Sequence, residues 1–432
     1  MPKQSPKKSQ SFWFILDNYV HVSVRGKSVL FYNSLTGKIL EYRDCETVIR
    51  LVKRLRAPGN LQVVGITGKE LANPGVSRFV KDMRTFFMGD LIDAALTRGK
   101  PMQMAPYPNI QQDVEVIKKS TRGSAAVGDR MMKYAAEVSI YINSACGLDC
   151  GLCGSAHRQF LCCTRGRNTR AELEPRSVKN LLQQLQGSSL ARLNILGGDI
   201  FKFSQWEQLP EILNAPALPA EKIFYTHYLN LAGQEKKLTQ FPAGSFSLKI
   251  VVPFPVKTRQ WEEIIGAPAV NRPGTHFLFI IAGEADSDAA EELITRHRLE
   301  NHSFYPFFNG RNREFFRQAV FVDKQDLEEA RPTMTEILAR QCINPLHFGT
   351  LTILSNGHIH ADVNAPRLGT LAGDSIYDMV YKEMYRGASW RRTRKKVTPC
   401  RRCTFNALCP PLSNYEYALG QNNLCHIWEN SL

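Results

Sequence analysis

Along the first hundred positions the apolar residues change their spacing twice. Phe12 to Leu16 is a short apolar stretch that enters a first strand and stops at Asp17. Val20, Val22 and Val24 then alternate with polar residues, Arg25-Gly26-Lys27-Ser28 reads as a turn, and Val29 to Tyr32 as the return strand. The spacing lengthens to that of a helix at Val48, Ile49, Leu51, Val52 and Leu55. It does so again, past Pro58-Gly59, at Val76, Phe79, Val80, Met83, Phe87 and Leu91. Strands followed by helices predict a small winged-helix-like α+β domain over 12–97. Residues 98–136, which include Pro101, Pro106 and Pro108, read as a linker.

From 137 to 310 the pattern becomes strand, then helix, repeated. Strands are predicted at 138–143, 193–196, 223–227, 246–252, 277–281 and 304–308. Between the first two, Val178, Leu181, Leu182 and Leu185 mark one face of a helix, with further helices near 206–213, 261–265 and 289–294. Six such units in a row predict an α/β fold: a parallel sheet with right-handed crossovers, curled into an open, partial (β/α)6 barrel. Eight units would be needed to close it. From about 340 to 432 this rhythm fades and cysteines return, which reads as a third, metal-organised segment.

A composition of 43% hydrophobic and 22% charged residues suits a globular protein with a sizeable core. No apolar run approaches the ~18 residues of a membrane helix, so no membrane partner is expected. The first eight residues, with Lys3, Lys7 and Lys8, read as a basic disordered tail rather than a signal sequence, which predicts a cytoplasmic protein. Eleven cysteines in that compartment argue for metal sites over disulfides. Five of them fall between Cys146 and Cys163 and four between Cys400 and Cys425, leaving Cys45 and Cys342 alone. The net charge of +15 asks for an anionic partner, either nucleic acid or an acidic peptide. The densest basic run, Arg391-Arg392-Thr393-Arg394-Lys395-Lys396, reads equally well as a solvated face.

Directly after the first predicted strand of the repeating region the chain reads Cys146-Gly147-Leu148-Asp149-Cys150-Gly151-Leu152-Cys153-Gly154. Three thiolates in a tight, glycine-bracketed loop suit three corners of a 4Fe–4S cluster, which takes four protein ligands when fully held. The fourth iron then keeps an open position that an amino acid's amine and carboxylate can fill. The rival is a zinc site closed by Cys162 or Cys163.

This loop resembles the signature of the radical S-adenosylmethionine (SAM) superfamily. The resemblance implies a cluster that binds and reduces SAM, releasing a 5′-deoxyadenosyl radical that abstracts hydrogen from the substrate. Leu196-Gly197-Gly198-Asp199, ending the second strand, is similar to the family's Gly-Gly-Glu/Asp motif. Gly197, Gly198 and Asp199 are thereby implied to hold the methionine ammonium, and a carboxylate with close backbone approach matches a cation. Leu152 stands where the family often carries an aromatic residue. No catalytic residue beyond the cluster is assigned, and Cys162-Cys163 reads as a pair of buried thiols.

The final cysteines, Cys400-x2-Cys403-x5-Cys409 and the distant Cys425, resemble the auxiliary-cluster (SPASM) extension of radical enzymes that modify peptides. Matched position by position, Cys342 and Gly357 fit its first part, but Asp362 and Ser413 stand where two further cysteines belong. The resemblance therefore implies one auxiliary 4Fe–4S cluster on Cys400, Cys403, Cys409 and Cys425, and one lost. A zinc ribbon is the alternative for four thiolates. The N-terminal β-then-α pattern resembles PqqD-like domains, which bind the leader of a precursor peptide as an added strand. Together these imply a radical SAM enzyme that modifies a ribosomally made precursor peptide of the double-glycine-leader type. Its partners are that peptide and an external electron donor. The alternatives are a non-catalytic leader-binding chaperone, as in the branch of pseudo-enzymes related to this family, and a radical RNA-modifying enzyme.

Overall fold

The computed structural model describes residues 10–103, 110–120, 130–148, 150–164, 170–214, 218, 220–242, 244–268, 270 and 272–427. The predicted basic tail, together with Pro106 and Pro108, lies outside them. The N-terminal region is built from six strands, β1 (Ser11–Leu16), β2 (Val20–Arg25), β3 (Ser28–Asn33), β4 (Ile39–Arg43), β5 (Val63–Thr67) and β6 (Gly89–Asp93). They form two antiparallel sheets, ordered β5-β1-β6 and β2-β3-β4. The predicted hairpin is β2–β3, in register from Val20 opposite Asn33 to Arg25 opposite Ser28. The first predicted helix is Glu46–Leu55, its apolar face packed with Phe14, Phe31 and Phe79 in one core.

The second helix is shorter than its apolar spacing predicts. Asn73 caps it and Pro74 opens it, but it ends at Thr85, Phe87 turns left-handed at φ 52° with its ring exposed, and Leu91 belongs to β6. The close approach of β6 to β1 forces this break: a Cβ on Gly89 would stand 2.5 Å from the Ile15 carbonyl oxygen. The linker also carries structure, a helix at Ile110–Ser120 whose Val114 is fully buried in the main core.

The repeating region yields β7 (Glu137–Tyr141), β8 (Arg192–Leu196), β9 (Glu221–His227), β10 (Ser247–Pro253), β11 (Thr275–Ile281) and β12 (His302–Pro306), all six near their predicted positions. They lie side by side in chain order, every neighbour parallel. The largely apolar runs of β7 to β11 follow from burial on both faces, while β12 at the edge is only partly buried. Ile140, Ile195, Phe224, Ile250 and Phe279 face the helical layer, which includes Pro175–Gln184, Thr258–Gly266 and Glu284–His297. Tyr141, Leu196, Tyr225, Val251 and Ile280 point the other way, against Ala156, Phe160, Cys162 and Cys163.

The sheet continues beyond six strands. β13 (Thr350–Ile353) adds in parallel beside β7, and β14 (His358–His360) and β15 (Arg367–Thr370) follow antiparallel, giving a mixed nine-stranded sheet. One further contact ties the chain's ends together. Leu30 and Tyr32, on the face of β3 turned from the N-terminal core, pack on Leu327, Ile337, Phe405, Leu408 and Cys409. Among the described residues no helix is long and apolar enough to cross a membrane.

Candidate metal centres and cofactor cavity

The Cys146–Cys153 loop leaves the C-terminal end of β7 and is tied to the end of β8. Asn143 carries most of that tie. Its side chain donates to the Asp199 carbonyl at 2.8 Å and accepts from the Gly198 amide at 3.2 Å, and the Asp199 amide donates to the Ala145 carbonyl at 2.6 Å. Only glycine fits this contact: a Cβ would come within 2.5 Å of Asn143 Oδ1 at Gly197 and 2.4 Å of the Ala145 carbonyl oxygen at Gly198. The Asp199 side chain is buried, caps the short helix Ile200–Lys202 by accepting from the Phe201 amide at 3.1 Å, and lies 3.9 Å from Lys202 Nζ. Burial raises its carboxyl pKa.

Cys150 and Cys153 are in contact, Sγ to Sγ 3.7 Å, and Cys146 Sγ accepts from the Leu148 amide at 3.4 Å. The Cys150 thiol pKa is pushed up by its hydrogen bond to Cys153 and then by burial, that of Cys146 chiefly by burial. A single zinc ion with bonds of about 2.3 Å would draw its sulfurs to within about 3.8 Å of one another. Among the described residues no three His, Cys, Asp or Glu side chains are arranged to hold one ion. Three thiols on one loop are the number of donors that a cluster with one open iron asks for, while the 3.7 Å between Cys150 and Cys153 is also the spacing of two sulfurs on one zinc ion.

Beside the loop lies a cavity of about 480 Å³. Leu148, Cys150, Gly151 and Leu152 form one wall, and His227, Pro253, Ile280 and Phe307, at or just past the ends of β9 to β12, form the opposite one. This is the carboxyl edge of the strands, where open α/β sheets bind ligands, and the size falls in the range of small-molecule sites. Gly197, Gly198 and Asp199 do not line this cavity. His227 does, with 2% of its surface exposed. Its Nδ1 accepts from the Leu229 amide at 3.1 Å, which leaves Nε2 to carry the proton. Burial, then the nearby Lys257 charge, lowers its pKa to about 4, so the ring is neutral at pH 7.

Cys400, Cys403, Cys409 and Cys425 line a second, smaller cavity. The Cys403 amide donates to the Cys400 carbonyl at 3.0 Å, and Cys425 is brought in by a parallel bridge to Val322. Burial pushes the Cys403 thiol pKa up to about 11 and that of Cys409 to about 12. At Cys409 and Cys400 the charge of Arg394 works against burial; its guanidinium lies 3.7 Å from Cys400 Sγ and 2.6 Å from Glu416 in a pair that is buried on both sides. Burial opposes the Arg394 charge, yet Glu416 and the neighbouring thiols more than offset it and raise its pKa.

No protein-family model matches the sequence, and no curated protein matches it. Among solved structures the chain is similar to Streptococcus suis SuiB bound to precursor peptide SuiA, with a TM-score of 0.39, 13% identity and coverage of 95% of this chain and 98% of that one. It is similar to SuiB bound to S-adenosylmethionine, with a TM-score of 0.38 and 12% identity over 95% and 97% of the two chains. SuiB alone gives 0.39 and 12% over the same shares.

The positions where two cysteines are missing do come near one another. Asn344, two residues past Cys342, donates to the Leu412 carbonyl at 2.8 Å, and Asn364 donates to Asn414 at 3.1 Å. Ser413 there caps Asn414–Leu419 with Glu416, and Asp362 accepts from Ser389 at 2.7 Å. Much of the basic run turns inward: Arg391 donates to the Met384 and Tyr385 carbonyls, Arg392 to Asn422, and Arg394 is buried. Sequence reasoning missed His227 and Lys257, because only the strand order brings them to the cysteine loop.

Proposed function

We propose that this chain is a radical SAM enzyme that modifies a ribosomally synthesised precursor peptide. The observation that carries the reading is the cysteine loop at the end of β7, forming one wall of a 480 Å³ cavity whose other wall is the carboxyl edge of β9 to β12. Cys146, Cys150 and Cys153 would hold a 4Fe–4S cluster, and Cys400, Cys403, Cys409 and Cys425 a fully ligated auxiliary one. With SAM bound, the first cluster supplies reductive cleavage and hydrogen abstraction. Gly197 and Gly198 keep the loop seated on β8, and Asp199 offers a carboxylate beside it. His227, with its proton on Nε2, lines the cavity beside the apolar side chains of Leu152, Phe254 and Phe307. In this reading 12–97 is the leader-binding domain, 98–136 a linker, 137–310 the barrel and 340–432 the auxiliary-cluster domain. The leader would add as a strand to the β2–β3–β4 sheet, whose outer strands β2 and β4 each have a single partner among the described residues.

One observation favours the non-catalytic, leader-binding reading: the Asp199 carboxylate is already engaged by Phe201 and Lys202. The inward basic run weighs against RNA as the substrate. Anaerobic reconstitution followed by dithionite and SAM decides. An active enzyme yields 5′-deoxyadenosine and carries about eight irons per chain, four for each cluster. Full iron with no 5′-deoxyadenosine supports the chaperone, and zinc in place of iron overturns the radical reading.

A further inference from the structure

A cavity of about 360 Å³ lies along β2 and shares no lining residue with the two cavities described above. Val20, His21 and Val22 all line it, although successive residues of a strand point to opposite faces. Val20 and Val22 belong to the N-terminal core, whereas His21 lies opposite Tyr32, on the face that packs against Leu327 and Ile337. A cavity touched by both faces wraps the strand's edge, so part of its wall is the backbone of β2. Gly26 and Lys27 make a two-residue hairpin turn, so the pairs Arg25–Ser28, Ser23–Leu30 and His21–Tyr32 exchange hydrogen bonds with β3. That alternation turns the Val22 amide and carbonyl to the outer edge.

The remaining walls come from two directions. Leu16, Leu55 and Leu61 close the cavity on the core side, and Met334 and Leu338 of the helix Met334–Cys342 close it on the other. Two polar atoms of the lining, His21 Nε2 and Gln62 Oε1, are buried with no hydrogen-bond partner among the described residues. Each costs free energy that a bound partner would recover. Gln62 is held there by strained backbone, since Leu61 and Gln62 are consecutive left-handed residues, at φ 46° and 62°, and neither is glycine. The Gln103 amide donates to the Leu61 carbonyl at 3.0 Å and the Leu16 amide to the Gln62 carbonyl at 3.1 Å, which fixes the turn from both sides. Strain of this kind gathers at ligand-binding positions.

An open strand edge between apolar walls is what an extended peptide requires. The edge pairs with its backbone and the walls take its alternate side chains. Gln62 Oε1 can accept from one further amide. Burial, then the charges of Arg56 and Arg25, lowers the His21 pKa to about 4, so a neutral ring offers Nε2 to a second group. Arg56 lines the cavity and no carboxylate does so among the described residues, which makes an acidic side chain the complementary one.

We propose that this cavity is a peptide cleft. An apolar segment carrying an Asp or Glu adds to β2 as a fourth strand and is clamped from the other side by the helix Met334–Cys342. This rests on the reading of 12–97 as a peptide-binding domain, and it chooses between the two outer edges of its sheet.

The test selects a phage-displayed library of random dodecapeptides on the full chain, then maps the strongest binders, as synthetic peptides, by hydrogen–deuterium exchange. The binders are expected to be apolar with an Asp or Glu, and to slow exchange in 20–25 and 334–341 while 39–43 stays unchanged. Val22→Pro removes the outward amide and no bond to β3, and Leu338→Trp fills the cleft from the helix without touching the strand. Each is expected to weaken binding by about tenfold, the effect of one lost buried contact. The exchange map of the wild type needs no variant, so it decides even if Val22→Pro fails to fold. Slowed exchange in 39–43 with 20–25 unchanged overturns the cleft and leaves the peptide-binding reading standing. Full binding by Leu338→Trp overturns the clamp. Binders that slow neither edge, or no binders at all, overturn the peptide-binding reading as well.

Discussion

Replacing Gly198 with alanine tests whether the loop is held as described. The new Cβ would lie 2.4 Å from the Ala145 carbonyl oxygen, 2.8 Å from its carbon and 2.9 Å from the Ser144 carbonyl carbon. All three are backbone atoms, so no side chain can swing aside. Ordinary non-bonded contacts begin near 3.5 Å, so the start of the cysteine loop must retreat by about 1 Å. Overpacking of this kind costs about 1–3 kcal/mol, which corresponds to a melting temperature lower by about 1–3 °C in a chain of this length. The shift also moves Cys146 relative to Cys150 and Cys153, so iron bound by the loop should fall. Gly151→Ala is the control, because it lies in the same loop and its Cβ would meet nothing within 4 Å. Its stability should stay within about 0.5 kcal/mol of the wild type. Calorimetry of the metal-free chains and iron analysis after reconstitution read both effects. The reasoning fails if Gly198→Ala melts and loads iron like the wild type, or if Gly151→Ala suffers as much.

Arg394→Met should destabilise the fold by about 3–5 kcal/mol in urea titration, since it leaves the Glu416 carboxylate buried without its cation, and Arg394→Met with Glu416→Gln should recover part of the loss. A cost below about 1 kcal/mol would mean that the pair is hydrated. His227 gives a pH dependence whose sign follows from its pKa of about 4. The unfolded chain protonates this ring below about pH 6.5 and the folded chain does not, so its contribution is intact above pH 6.5 and is lost as pH falls toward 4. Between pH 7.5 and 5 the loss is about 2 kcal/mol, and His227→Asn should remove it; an unchanged slope in the variant would refute the assignment.

The parallel strands β7 to β11 were legible because each is largely apolar on both faces, a pattern that survives without knowledge of its neighbours; β12, at the sheet edge, is only partly buried and showed through Phe304 and Tyr305. β13, four residues long and remote in sequence, carries no such signal, although it completes the sheet beside β7. Leu91 was misassigned because its distance from Phe87 happens to equal one helical turn, while its pairing opposite Phe14 depends on β1. The helix Ile110–Ser120 was hidden among prolines, and Val114 and Ile117 are its apolar contacts with the core among the described residues. At the site, spacing alone singled out the cysteines, since short fixed intervals survive any fold. The cavity did not show, because its walls come from five separate stretches of chain. Arg394 was read as part of a charged surface run because arginine is rarely buried without a partner, and its partner lies 22 residues away.

The seam formed by Leu30 and Tyr32 against Phe405, Leu408 and Cys409 has a thermodynamic corollary. Two of the four C-terminal thiols, Cys403 and Cys409, belong to the surface on which the N-terminal sheet rests, so the state of that cavity and the docking of that sheet share one set of contacts. Any factor by which one changes the other is returned in equal measure. A peptide gripping the N-terminal sheet would thus be felt at the far cysteines with no chemical signal passing between them, and an N-terminal fragment expressed alone would carry an uncovered apolar face.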